Sequence, residues 1–380
     1  MLFEPDRHLE LPSRVWDERV ARDAIARVVD DAARAFDGRG FPVHPLDEPE
    51  THGPPPPTSI YWGTAGVVWA IDHLARAGVA SAPPWLRDVA RATCDERSRS
   101  RGFLMGRLGA LAVANAVAPD AELADALLRE IEACLALPSN ELMLGAPGAV
   151  LVATRVHART GDVRFAELAR RGAVSMWSTR DADGLFSQRL FGGAERYLGL
   201  VHGFAGNAAV LLRAAPLLDP RVREEIETSV AAATERTAVR EGELASWPAT
   251  AGERPRLMQI CHGAPGFVVG LAGLRASLPT LSAAGAAIER AGPLRKGTNL
   301  CHGDAGNGYA FLALHAATGD ATWLDRARAF AMNAIARCDA TRSRYGQGRY
   351  SLWTGDLGLA CFLWGCVTED ARFPTIDTLA

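Results

Sequence analysis

No apolar run in the 380-residue chain reaches the roughly 18 residues that a membrane-spanning helix needs, so no such helix is predicted. The first residues, Met1-Leu2-Phe3-Glu4-Pro5-Asp6-Arg7, lack the basic-then-apolar order of a secretory signal. Basic charge is not in excess either. The 41 basic residues are met by 44 acidic ones, a net charge of -3, which argues against a nucleic-acid binder. The seven cysteines (Cys94, Cys134, Cys261, Cys301, Cys338, Cys361 and Cys366) are scattered and odd in number. Together with the missing signal, that predicts reduced thiols in a cytoplasmic protein. Strand signals are few. What remains, 48% apolar and 22% charged, excludes a disordered, collagen-like or disulfide-stapled chain and can build a large core.

One word recurs: Gly-x-x-Gly followed by a small-residue or apolar stretch. It begins at Gly63, Gly106, Gly145, Gly203, Gly263, Gly303 and Gly355, at intervals of 43, 39, 58, 60, 40 and 52 residues. Such spacing marks a repeat architecture. Charged amphipathic stretches lie between the words: Asp17–Phe36, Trp85–Arg97, Ala121–Ala136, Val163–Ser178, Arg221–Arg240, Leu281–Arg290 and Thr322–Cys338. A helix that is apolar all round must be buried, and one with a polar face lies outside. Seven of each, in alternation, predict an all-α fold: a double-layered (α/α)7 toroid forming a single domain over residues 1–380, with an N-terminal helix at about 17–36. The last repeat is as apolar as the middle ones, which favours closure over an open, capped superhelix. Gly38–Pro57, with its Pro54–Pro57 tract, and Asp181–Gly193 read as long loops on the ring.

Equivalent positions of a closed ring converge near its axis. The residues just before the first glycines are Trp62, Met105, Leu144, His202, His262, His302 and Thr354. Those one place earlier are Tyr61, Leu104, Met143, Val201, Cys261, Cys301 and Trp353. Repeats four to six therefore bring together His202, Cys261, His262, Cys301 and His302. Thiolates and imidazole suit zinc. Here repeat register, rather than zinc-finger spacing, argues for their convergence.

The words Ile260-Cys261-His262-Gly263-Ala264-Pro265-Gly266 and Leu300-Cys301-His302-Gly303-Asp304-Ala305-Gly306-Asn307 resemble the lanthionine synthetase C-like family, as do Leu200-Val201-His202-Gly203 and Arg372-Phe373-Pro374. The details are closer to its eukaryotic-type, glutathione-linked branch than to lantibiotic cyclases. The resemblance implies one zinc per chain at the toroid centre, held by Cys261, Cys301 and His302. A substrate thiol would take the fourth position. It implies an acid/base role for His202; for the proton that the addition needs at the α-carbon, His262 is the second candidate. It also places Glu141 where cyclases have a catalytic Asp, and Lys296 and Arg344 at positions linked to a substrate carboxylate. Thr354 and Ile260 depart from the family's usual Glu and Trp.

A zinc-bound thiol is a thiolate at neutral pH and can attack the β-carbon of dehydroalanine or dehydrobutyrine. The first expectation is an enzyme that adds glutathione or a similar small thiol to dehydroamino acids in peptides or proteins, forming a thioether. A cyclase making lanthionine rings in a dehydrated precursor peptide is the second. A non-enzymatic, zinc-stabilised binding protein is the third.

Overall fold

The structure, a computed structural model, describes residues 1–47, 58–94, 100–190 and 192–379. The Pro54–Pro57 tract, expected as a loop, lies outside the described residues. In chain order the helices are α1 Glu18–Ala35, α2 Thr64–Arg76, α3 Leu86–Ala92, α4 Arg107–Val117, α5 Ala121–Leu135, α6 Ala146–Thr160 and α7 Val163–Ser178. They continue as α8 Phe204–Ala214, α9 Pro220–Thr237, α10 Ala264–Leu271, α11 Leu278–Ala291, α12 Asp304–Thr318, α13 Ala321–Tyr345 and α14 Asp356–Thr368. Two short antiparallel hairpins interrupt them: β1 Gln188–Leu190 with β2 Gly193–Glu195, and β3 Val239–Glu241 with β4 Leu244–Ser246. The first hairpin corrects the reading of Asp181–Gly193 as a plain loop. Three-residue strands carry no readable alternation. The stretch Trp85–Arg97 also shortens, to α3, and its last residues lie outside the described ones.

The even-numbered helices form an inner ring. Each packs on the next, and α14 packs on α2, so the ring closes. The odd-numbered helices pack outside it, with α1 against α13 and α14. This is the double α/α toroid that the alternation of apolar and amphipathic stretches predicts.

The two layers start differently. Outer helices α1, α5, α7, α9 and α13 begin at Asp17, Asp120, Asp162, Asp219 and Asp320, whose carboxylates accept first-turn N–H groups. Inner helices have a glycine at that place and no side-chain cap. Their first N–H groups go to carbonyls of the preceding loop: Ala305 N to Thr298 O, Phe204 N to Tyr197 O, Asp356 N to Arg349 O. The loop thus folds back over the helix start, and the second glycine is where it touches. A Cβ at Gly66, Gly109, Gly206, Gly266, Gly306 or Gly358 would lie 2.0–2.3 Å from the carbonyl oxygen six residues earlier.

Folding back also aligns the loops. Tyr61 N donates to Leu104 O, Leu104 N to Met143 O, Cys261 N to Cys301 O, Cys301 N to Trp353 O and Trp353 N to Tyr61 O. This belt of backbone bonds runs through the ring positions that hold the two cysteines. Both chain ends brace the ring. Residues 4–9 lie along the turn after α11: Leu9 N donates to Pro293 O and Arg295 N to Arg7 O. The tail enters the axis, where Phe373, Ile376 and Leu379 are buried. Among the described residues no helix is long and apolar enough to cross a membrane.

Candidate functional site

The belt places Cys261 and Cys301 side by side, both buried. Tyr61 Oη donates to Cys301 Sγ at 3.0 Å, and Gln259 Nε2 to Cys261 Sγ at 3.0 Å. The two thiols are also hydrogen-bonded to each other, so they do not titrate alike. The bond from Cys301 draws Cys261 down to about 7 against its burial, helped by Gln259 and by the charges of His202 and Lys296. The same bond, with burial, drives Cys301 well above the ordinary thiol range. The two thiols are coupled, and Cys261 is the more acidic of the pair.

His302 follows Cys301. Its backbone N–H and its Nδ1 both lie 3.0 Å from Asn299 Oδ1. The backbone N–H needs an acceptor, which fixes the amide orientation of Asn299. The same oxygen then requires the proton on Nδ1, leaving Nε2 with a lone pair. Burial, with the charges of Lys296 and Arg349, pushes the ring down to about 3, so it is neutral. Two thiols and a neutral imidazole are the donor types that suit zinc. Among the described residues, no three His, Cys, Asp or Glu side chains are gathered closely enough to hold a metal. The fit therefore lies in donor chemistry.

On one side of the thiol pair stand His202, His262 and Tyr197. His202 Nδ1 lies 3.1 Å from Glu141 Oε2, and Glu141 is buried, accepting also the N–H groups of Met143 and Leu144. A carboxylate so engaged holds His202 in its Nδ1–H form and turns Nε2 outward. The His262 ring stacks on His202 with centroids 5.9 Å apart, and its Nδ1 is buried without a partner among the described residues. Burial and the His202 charge push His262 down to about 4. Tyr197 lies 6.3 Å from His202 and 5.9 Å from His262 between ring centroids.

Lys296 lies on the turn between α11 and α12. It is exposed and has no hydrogen-bond or ion-pair partner among the described residues, yet its charge reaches Cys261, Cys301 and His302. It is the only lysine in the chain; all the other basic residues are arginine. Arg344 is not brought to the thiols. It sits exposed near the end of α13, its guanidinium 5.4 Å from the Tyr345 ring centre. The arginine whose charge acts on His302 and Tyr61 is Arg349.

Gln259 and Asn299, which are not among the expected site residues, share a register with Glu141, which is. Four residues before the first glycine stand Ser59, Glu141, Gln259 and Asn299. Ser59 Oγ accepts Trp62 N–H, Glu141 accepts Leu144 N–H and Asn299 accepts His302 N–H, while Gln259 reaches Cys261. A polar residue at that repeat position fixes the residue that follows it into the mouth, and the pattern could have been read from the sequence.

A closed toroid with seven inner helices, presenting paired cysteines and histidines at the N-terminal ends of those helices, defines the class. The family described as "Lanthionine synthetase C-like protein" matches residues 54–378, and the chain belongs to that family. It is 31% identical over 192 residues to "LanC-like protein GCL1" of Arabidopsis thaliana, covering 47% of this chain and 43% of that protein. It is 41% identical over 90 residues to "Glutathione S-transferase LANCL1" of Danio rerio, covering 22% of each. The matched segments thus span less than half the length of these relatives. The fold is similar to that of "Nisin cyclase", with a TM-score of 0.60 at 13% identity, covering 96% of this chain and 98% of the other.

Proposed function

We propose that the protein joins a small thiol, such as glutathione, to a dehydroalanine or dehydrobutyrine residue of a peptide or protein, forming a thioether. The carrying observation is the buried Cys261–Cys301 pair, whose Cys261 feels the charges both of His202, paired with Glu141, and of the lone lysine. Cys261, Cys301 and His302 would hold a zinc ion, which when bound supplies a Lewis acid that keeps a substrate thiol deprotonated at neutral pH. Tyr61 and Gln259 hold the protein's own sulfurs in place through their hydrogen bonds. Lys296 offers an uncompensated positive charge to a carboxylate of the thiol substrate. His202 delivers a proton to the α-carbon. As the sulfur bonds to the β-carbon, the alkene electron pair moves onto the α-carbon and its carbonyl, and the proton from His202 Nε2 quenches it. The thiol proton lost at the start balances the proton gained at the end, so the addition needs no oxidant or reductant. Glu141 stabilises the imidazolium that donates. The transferase name of the Danio rerio relative supports a thiol co-substrate, and Lys296 beside the thiols favours one bearing a carboxylate.

The test measures metal first. The purified protein is expected to carry about one zinc per chain and Cys301→Ala none. The protein is then given a dehydroalanine peptide and a thiol panel, and mass spectrometry reads the adduct. His202→Gln is expected to slow addition about 100-fold while leaving the zinc bound. Ring closure in a cysteine-bearing dehydrated peptide, without addition of any free thiol, would favour the cyclase reading instead. Zinc retention with no thioether formed on either kind of substrate would favour the non-enzymatic one. No zinc, even after reconstitution, would remove the thiol-activation mechanism.

A further inference from the structure

The residue just before each first glycine stands at the mouth of the ring, one step from the belt. Six of these seven positions reach solvent, and only Thr354 is buried. Repeats four to six place the three imidazoles there. Repeats one to three place Trp62, Met105 and Leu144, none of which carries a charge. Seven inner helices closed in order set α2, α4 and α6 across the axis from α10 and α12, whose preceding loops hold Cys261 and Cys301. The mouth thus has an apolar arc that faces the thiols.

Within that arc Trp62 is set apart. At 40% exposed, it is the one aromatic among the exposed large apolar side chains of the described residues. A single exposed valine or leucine needs no explanation, whereas an exposed indole beside further apolar side chains marks a contact surface. Its backbone is held: Trp62 N donates to Ser59 Oγ at 3.1 Å, and Gly63 N to Ser59 O at 3.0 Å. Its ring meets the Tyr61 ring edge to face, with centroids 5.3 Å apart. Tyr61 in turn donates to Cys301 Sγ at 3.0 Å. One buried ring therefore separates the exposed indole from the sulfur. The indole N–H has no hydrogen-bond partner among the described residues.

We propose that Trp62, backed by Met105 and Leu144, determines specificity for the electrophile by holding a large apolar side chain next to the dehydroamino acid of the peptide. The inference rests on the function proposed above and deepens it. Dehydroalanine is small, flat and uncharged, so it offers little for a protein to grip, and selection has to come from its neighbours in the peptide. Covering the indole with an apolar side chain removes surface of both from water. The indole N–H then has a peptide carbonyl to donate to. An acidic neighbour makes no such contact and loses hydration on the same arc. The imidazoles and cations of repeats four to seven are left to the thiol and to proton transfer.

Two dehydroalanine peptides test this, one with Phe on both sides of the dehydroalanine and one with Asp. Mass spectrometry reads thioether formation with glutathione. The wild type is expected to favour the Phe peptide about tenfold in kcat/KM, and Trp62→Ala to bring that ratio to about one. Trp62→Phe keeps a ring and loses the N–H, and is expected to retain most of the preference. Trp62→Arg is expected to speed the Asp peptide about threefold over the wild type, a gain that misfolding does not produce. Calorimetry with the same peptides carrying alanine for dehydroalanine, which cannot react, should follow the same order. The inference is overturned if the wild type handles both peptides alike, or if Trp62→Ala keeps the preference. It is also overturned by a dimer of the wild type that Trp62→Ala dissolves while the peptide preference stays unmoved, which gives the arc to a second copy. Thioether formation that is insensitive to Trp62 rejects the specificity and keeps the function. Binding of the alanine peptides that follows Trp62, with no thioether from any thiol, does the reverse.

Discussion

His8 turns its ring inward where the N-terminal strap crosses the Lys296 turn. Nδ1 lies 3.0 Å from Gly292 O, and Nε2 is buried with no partner among the described residues. A carbonyl only accepts, so Nδ1 carries the proton in the neutral ring. A second proton on Nε2 would be a buried donor without an acceptor. Burial, with the Arg7 charge, accordingly lowers the pKa below its ordinary value although the Gly292 bond favours the charged form. A lowered folded-state pKa means that the unfolded chain binds more protons as pH falls. Stability from His8 is thus present above about pH 6.5, the ordinary histidine value, and is lost as pH drops through the folded pKa. His8→Asn keeps a donor to Gly292 and cannot titrate. Its melting temperature should fall less than that of the wild type between pH 7.5 and 5.5; equal falls would remove His8 from the account. Single residues were unequally legible. Cys261, Cys301 and His302 announced themselves because their words repeat. Arg349 did not: Arg344 lies only five positions away with the same charge, and which of the two turns toward the thiols depends on how the loop after α13 folds back.

At the scale of one repeat, the argument rests on what the second glycine touches. At Gly109 a Cβ would lie 2.0 Å from Phe103 O and 2.8 Å from Ile60 Cδ1. The Phe103 carbonyl, next to Leu104 of the belt, cannot give way without moving the loop. Gly109→Ala should therefore cost about 3 kcal/mol or more in denaturant unfolding. Gly273, in the turn after α10, has nothing within 4 Å of its would-be Cβ and no positive φ. Gly273→Ala should be neutral or stabilise by up to about 1 kcal/mol, through the unfolded chain. Equal effects of the two would mean that the glycines act through flexibility rather than close approach. The inner helices were readable because each needs that glycine and an all-apolar body. The aspartate caps mark the outer helices as plainly, at Asp17, Asp120, Asp162, Asp219 and Asp320. The hairpins β1–β2 and β3–β4 were not readable, since their three-residue strands take their pairing from the loops that carry them.

For the whole molecule, closure makes the axis a place that something must fill. Below the belt the tail does so. Trp353 Nε1 donates to Thr375 Oγ1 at 3.2 Å, and Phe373 packs on both Trp353 and Tyr309. Deeper still, Asp377 accepts from Arg155 of α6 at 2.8 Å and from Arg213 of α8 at 2.7 Å. The last residues thus tie the middle of the chain to its end and floor the site beneath Tyr61 and Trp353. Repeat register shows that a ring closes but not what occupies its centre, because the tail belongs to no repeat. Burial raises the Asp377 pKa, yet Arg213 and Arg155 outweigh it and the net shift is downward. A carboxylate with a lowered folded pKa contributes stability that is present above its ordinary value near 4 and is lost as pH falls through the folded one. Asp377→Asn should therefore destabilise the protein by about 3 kcal/mol at pH 7, leaving two half-buried guanidiniums short of a counter-charge. That deficit should begin to shrink as pH drops below about 4, where the unfolded carboxylate takes up its proton, and should close only below the lowered folded pKa, where the native carboxylate also becomes neutral. Urea unfolding at pH 7 and at a series of pH values descending from about 4 reads both. A deficit that stays constant with pH would assign the loss to packing of the tail. A deficit that closes assigns it to the charge that holds α6 and α8 to the end of the chain.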